Sequence, residues 1–354
     1  MRIHVEPFSD ELLSAYLVRC AHVLGISPYR FIKASVPGWP AWTRDIDRIC
    51  EDAKLSALAT CIDVSPSRLR EMTLYHVQKC LAEAPRESPF AVTTLINAIG
   101  ARSRERRYAG LQFCPLCLLE KPTFVRSWRL SFMTICDQHI CCLSDRCSRC
   151  GSQVIPFQCR QSLTRCYRCG GMLSRMVDVS VGRALLYALQ AQMMLSQAFV
   201  ESVPLAGRPV SPPDFLRGCA VLLHAIKACL RTKQLTGPWG EVSGEGPRLE
   251  YLSVQRRVQL FALLGWLLEN WPERCMAIAN QIGLRQIHFE PCANRPAWIV
   301  EIVEQLTPRS RPPRKRWTAT LTKGVRTIES NGGASCRSER AAVLLRAVRD
   351  YHGN

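Results

Sequence analysis

Cys114-Pro-Leu-Cys117, Cys136-Asp-Gln-His139, Cys147-Ser-Arg-Cys150 and Cys166-Tyr-Arg-Cys169 follow one another in one stretch of the chain. Each is a pair of metal ligands separated by two residues, a spacing at which one tight turn offers both to a single ion. Eighteen residues separate the first pair from the second and fifteen separate the third from the fourth, within the range of zinc ribbons. Structural zinc takes four thiolate or imidazole donors tetrahedrally, so eight ligands make two sites. Sequential pairing gives a centre of Cys114, Cys117, Cys136 and His139 and a centre of Cys147, Cys150, Cys166 and Cys169. The rival is an interleaved cross-brace of the RING ubiquitin-ligase kind, using His139 and Cys142, which then needs Asp145 as a ligand. Cys141, Cys142 and Cys159 lie outside the pairs and read as small apolar filler.

A disulfide framework fits poorly. The chain has 19 cysteines, an odd number, and its start, Met1-Arg2-Ile3-His4-Val5-Glu6, carries no apolar signal segment. Reduced thiols holding metal point to a cytoplasmic, bacterial-type setting. The longest apolar run, Leu260 to Leu268, is far shorter than the ~20 residues a membrane crossing needs.

The 354 residues carry a formal charge of +18, unevenly spread. Residues 1–100 hold 11 basic and 11 acidic side chains, residues 101–180 hold 13 and 5, residues 181–308 hold 12 and 10, and residues 309–354 hold 11 and 3. The excess therefore sits on the ligand-bearing region and the tail, where it supplies the sequence-independent part of nucleic-acid affinity. Arg102, Arg104, Arg106 and Arg107 precede the first ligand pair, and Arg309, Arg311, Arg314, Lys315 and Arg316 form a proline-broken basic arm. Both clusters are candidate nucleic-acid contacts, to DNA or a ribonucleoprotein.

Around this centre the chain reads as helical. Ser9 is a candidate cap for a helix with Asp10 and Glu11 in its first turn and Leu12, Leu13, Tyr16, Leu17, Cys20 and Leu24 on one buried face. Gly25 ends it and Ser27-Pro28 starts the next, the pattern of a helix-turn-helix. A helix near 55–61 followed by Ser65-Pro66 repeats that device. Between them, Trp39, Trp42, Arg44 and Asp45 lie in a segment broken by prolines and read as a partner-docking loop; a charge-neutral half favours protein contact over DNA. A short helix is expected over 93–100. Beyond Gly171, helices are expected over 183–200, 215–230, 254–270, 272–281 and 296–306, the last capped by Asn294. A proline- and glycine-containing connection spans 203–214, a glycine-rich loop spans 237–246, and a terminal helix covers 338–351. The fold class is mostly α. An N-terminal domain containing helix-turn-helix units (1–100) leads to tandem zinc ribbons (101–175), a C-terminal α-helical domain (176–308) and a basic tail with its terminal helix (309–354).

Catalytic signatures are lacking. No glycine is followed by lysine, so there is no phosphate-binding loop, and no glycine-flanked nucleophilic serine occurs. Four ligands per zinc leave no position for an activated water. The chain reads as a non-enzyme with two structural Zn2+ ions and no small-molecule substrate. As a set, Asp10-Glu-Leu-Leu-Ser-Ala-Tyr-Leu-Val-Arg19, Gly25, Cys114-Pro-Leu-Cys-Leu118, Trp128-Arg129, Cys136-x-x-His139-x3-Leu143 and Cys147-x-x-Cys150-Gly151 resemble the TniQ family of heteromeric DNA transposons, related to TnsD. That resemblance covers residues 5 to about 170 and implies a non-catalytic target-selection adaptor, joining a target-recognition device to an AAA+ ATPase regulator and the transposase. In one branch a TniQ homodimer sits on a CRISPR Cascade complex; in another, TnsD-like members read an attachment site directly, with C-terminal DNA-binding sequence for which this chain is short. The alternative is a zinc-ribbon transcription regulator that binds DNA by itself.

Overall fold

The computed structural model describes residues 3–48, 50–81, 95–99, 110–174, 182–231, 233–290 and 295–308. Arg102, Arg104, Arg106, Arg107, Arg309, Arg311, Arg314, Lys315, Arg316, the Asn294 cap and the helix expected over 338–351 lie outside them.

The first helix, α1 (Leu13–Val23), is enclosed along most of its length: Leu13, Ala15, Tyr16, Leu17, Val18, Cys20 and Ala21 are buried. It begins four residues after Ser9, behind Leu12, and no side chain caps it. The acidic pair expected in its first turn is claimed by distant partners. Asp10, at φ 58°, accepts from Arg126 Nε at 2.8 Å and from the Ser127 amide at 3.2 Å. Glu11, fully buried, accepts from Arg19 at 2.7 Å and from the Thr123 hydroxyl.

The serine-proline starts form as expected. α2 (Pro28–Ser35) is capped by Ser27 Oγ, which accepts from the Arg30 amide at 3.3 Å, and α4 (Pro66–Glu71) by Ser65 Oγ, which accepts from Arg68 at 3.2 Å. Gly25, at φ 66°, takes the left-handed conformation that turns the chain from α1 into α2. Between α2 and α4 lie a 3-10 turn at Ala41–Thr43 and α3 (Asp52–Cys61); α5 (Tyr75–Cys80) follows. The helix expected over 93–100 is absent from the described residues 95–99: Leu95 turns at φ 62°, Ile96 pairs antiparallel with Leu130, and the Asn97 amide donates to Arg129 O at 2.8 Å. α6 (Pro115–Glu120) carries Cys117 and directly follows Cys114.

The C-terminal part is built on α7 (Arg183–Gln197), α8 (Pro212–Cys229), α9 (Val254–Glu269), α10 (Glu273–Ile282) and α11 (Ala297–Gln305). α7 lies against α9 at Gly265, where a Cβ would come within 2.0 Å of Tyr187 O, so only glycine admits the α7 backbone. Two antiparallel hairpins replace expected irregular segments: β1 (Val203–Leu205) with β2 (Arg208–Val210), and β3 (Gln234–Gly237) with β4 (Gly240–Ser243). In the first, Ala206 (φ 49°) and Gly207 (φ 75°) form a two-residue turn whose positive φ angles match the twist of paired strands.

Met1–Arg309 make one compact unit. Its polar ties cross the domain boundaries expected from the sequence. Arg257 of α9 donates to Ser131 O and to Gln112 Oε1, both at 2.6 Å, and Asp145 Oδ2 accepts from the Val254 amide at the start of α9 at 2.9 Å.

Candidate metal centres

Three of the four ligand pairs sit on one local design. In each, the leading cysteine carbonyl accepts from the amide four residues on (Ile140, Gly151, Gly170), and its own amide donates to the carbonyl five residues on (Cys141, Ser152, Gly171). This closed knuckle aims both side chains to one side. It needs a left-handed residue at its fifth position: Gly151 and Gly170 at φ 69°, and Ile140 at φ 48°. The Cys114/Cys117 pair differs, with Cys114 preceding α6 and Pro115 in the helix's first turn; the Leu118 amide donates to Cys114 O at 3.0 Å.

The ligand atoms of Cys114, Cys117, Cys136 and His139 all lie within 4.8 Å of one another, as do those of Cys147, Cys150, Cys166 and Cys169. The grouping is sequential. A cross-brace would join the first pair to the third, and its required ligand Asp145 instead accepts from the Val254 amide at the start of α9. In the first set His139 presents Nδ1 to the sulfurs, 3.5 Å from Cys114, 3.2 Å from Cys117 and 3.6 Å from Cys136, while Nε2 stands 3.1 Å from Glu120 Oε1. That carboxylate fixes which ring nitrogen is left as donor to an ion, the outer-shell arrangement usual for metal-binding histidine.

The donors fit a divalent ion. In the first set, burial first, then the neighbouring Cys136, pushes Cys117 up to about 12. A metal at the centre reverses that balance and deprotonates its thiols. In the second set the Ser152 hydroxyl lies 3.1 Å from Cys150 Sγ and 3.2 Å from Cys166 Sγ, and its hydrogen bond pulls Cys150 down to about 6. Four donors at mutual contact complete each set, so each can hold an ion without an open coordination position.

Sequence reasoning missed Glu120, Ser152 and Cys141. Glu120 and Ser152 carry no spacing signal, since each acts through a ligand. Cys141, set aside as filler, lies with its sulfur 3.7 Å from Cys114 Sγ, while Cys159 is buried as expected.

The expected docking segment is turned largely inward. Trp39 and Trp42 are buried; Trp42 donates to Pro28 O at 3.0 Å and stacks on Phe157, ring centres 5.4 Å apart. Arg44 is half-buried. Asp45 is consumed by Arg129, a guanidinium with no exposed surface that binds Asp45 through Nη2 (2.7 Å) and Nη1 (3.1 Å), Asp47 through Nη1 (3.1 Å) and Asn97 O through Nη2 (2.9 Å). Asp47 in turn accepts from the Ser14 amide and hydroxyl at 2.8 and 2.7 Å. The proline-rich segment is thus bound to the loop that leads into the first centre. No helix among the described residues is long and apolar enough to cross a membrane.

No curated protein matches the sequence. Residues 2–143 match the family model described as TniQ, a span that takes in the Arg129 network and the whole first centre and stops before Cys147. Those residues form a TniQ domain.

Proposed function

We propose that the protein is a non-catalytic target-selection adaptor of DNA transposition, held together by two structural zinc ions. The TniQ domain over residues 2–143 carries the reading. Cys114, Cys117, Cys136 and His139 hold one zinc, and Cys147, Cys150, Cys166 and Cys169 the other; with four protein donors each, both ions stabilise the fold rather than activate water. The first hundred residues, charge-neutral as a whole and carrying α1 to α5, contact protein, and the basic regions contact DNA or a ribonucleoprotein. The partners are an AAA+ ATPase regulator of transposition, a second copy of the chain, and a guide-RNA complex of the Cascade type as the device that reads the target.

The test is capture. The purified chain, carrying two equivalents of zinc by elemental analysis, should retain an AAA+ transposition regulator when that ATPase is assembled on duplex DNA with a non-hydrolysable ATP analogue. Structural zinc contributes on the order of 10 kcal/mol to folding, so Cys117→Ser and Cys150→Ser should each lose one equivalent and unfold well below the wild type. Full thermal stability and two bound ions in both variants would remove the zinc assignment; no capture of the ATPase would remove the adaptor.

A further inference from the structure

The second ligand set is formed by a repeated hexapeptide, Arg146-Cys-Ser-Arg-Cys-Gly151 and Arg165-Cys-Tyr-Arg-Cys-Gly170. The first arginine of each copy braces its own knuckle: Arg146 Nη1 donates to Gly151 O at 3.2 Å and Arg165 Nη1 to Gly170 O at 3.1 Å. The second arginine of each copy, Arg149 and Arg168, is exposed, as is Arg160 on the connection between the knuckles. The stem of Arg149 reaches across to the opposite knuckle, its Cδ lying 3.1 Å from where a Cβ on Gly171 would stand. None of these five arginines pairs with a carboxylate among the described residues, and residues 146–177 contain no Asp or Glu. Four thiolates around one divalent ion leave two negative charges, which five arginines outnumber, so the ribbon presents a net positive face.

We propose that this ribbon is a docking surface for duplex DNA, with Arg149 and Arg168, at equivalent places on facing knuckles, contacting phosphates on either side of the second centre. The proposal rests on the adaptor reading above and locates a nucleic-acid contact on the chain, outside the matched TniQ span. Duplex is favoured over single strands because single-strand binders need several stacking platforms. Tyr167 is the one exposed aromatic of the described ribbon residues, and Phe157 is stacked on Trp42 inside. Arginine contacts to phosphates give register without reading sequence, so binding here is salt-sensitive and tolerant of sequence.

The experiment uses the full, zinc-loaded chain and a fluorescent 30-base-pair duplex of arbitrary sequence, with affinity measured across a salt series. Each lost phosphate contact on B-form DNA lowers the slope of log affinity against log salt by about 0.9, so Arg149→Ala with Arg168→Ala should lower it by about two. The same loss should appear on an unrelated sequence, while Arg149→Lys with Arg168→Lys keeps most of the slope. Both side chains are exposed, and the variants should retain two zinc equivalents. An unchanged slope in the alanine variant, or tighter wild-type binding to single-stranded DNA or RNA than to duplex, overturns the proposal. If the alanine variant also captures the ATPase normally, the adaptor reading survives that failure; lost capture by the wild type counts against the adaptor alone.

Discussion

Arg129 has no exposed surface, and its charge is balanced by two carboxylates rather than one. Removing it leaves Asp45 and Asp47 buried without a cation, a cost typically about 3–5 kcal/mol. Arg129→Ala should therefore lower the urea midpoint severely, and Arg129→Lys should not restore it, because a single ammonium cannot span Asp45, Asp47 and Asn97 O together. The network also predicts a pH dependence. Burial pushes the Asp47 carboxyl up to about 6 against the pull of Arg129, whereas it starts from 3.8. Between those values the folded chain holds a proton that the unfolded chain releases, so this group's contribution to stability grows as pH falls from about 6 towards 4. Asp47→Asn removes that gain. Denaturation at pH 6.5 and pH 5 should show the wild type's advantage over the variant larger at the lower pH; an equal advantage would refute the shift. Little of this was legible in the sequence: Trp42, Asp45 and Asp47 look like an exposed loop beside prolines, and their partner lies more than eighty residues away.

Local signals were legible where they act locally. Ser27-Pro28 and Ser65-Pro66 set their helix starts because cap and first turn lie within four residues. Ser9-Asp10-Glu11 offers a cap and an acidic first turn and forms neither: α1 starts at Leu13, and the two carboxylates are held by Arg126, Arg19 and Thr123. The hairpins were missed for a related reason: Pro204 and Pro209 face each other across β1 and β2, where isolated two-stranded pairing tolerates residues that a wider sheet would reject. The grouping of the Cys/His pairs into two sets of four was legible, because the spacing of each pair lets one tight turn present both side chains together; the knuckle's left-handed fifth position explains the glycines at 151 and 170. Ile140 is the exception, a half-exposed β-branched residue at φ 48°. A left-handed backbone costs such a residue roughly 1–2 kcal/mol, only part of which glycine's extra freedom in the unfolded chain offsets. Ile140→Gly should stabilise the zinc-loaded protein by about 1 kcal/mol, read as a higher melting temperature at unchanged zinc content. A lower one would mean that the exposed side chain earns its place by a contact outside the chain.

At the scale of the whole unit, the first centre is held from both directions. Leu12 donates through its amide to Phe124 O at 2.8 Å on one side, and on the other Gln192 of α7 reaches into the segment just before Cys136. Gln192 Oε1 accepts from the Thr134 and Ile135 amides at 3.0 and 3.1 Å, and its Nε2 donates to Ile135 O at 2.9 Å. All of these groups are buried, so Gln192→Leu fills the space and strands three backbone groups, each costing about 1–3 kcal/mol if left unpaired. The strain falls on the residue adjoining a ligand, and outer-shell losses of this kind weaken metal affinity by roughly tenfold or more. The second centre makes no hydrogen bond to α7 among the described residues. Gln192→Leu should therefore release one zinc equivalent to a chelator about tenfold faster than wild type while the other leaves at its usual rate. Uniform acceleration of both would show that α7 acts through global stability. Release unchanged in both would show that the first centre does not depend on the helices packed behind it, and that the unit's polar ties are local fittings rather than a connected frame.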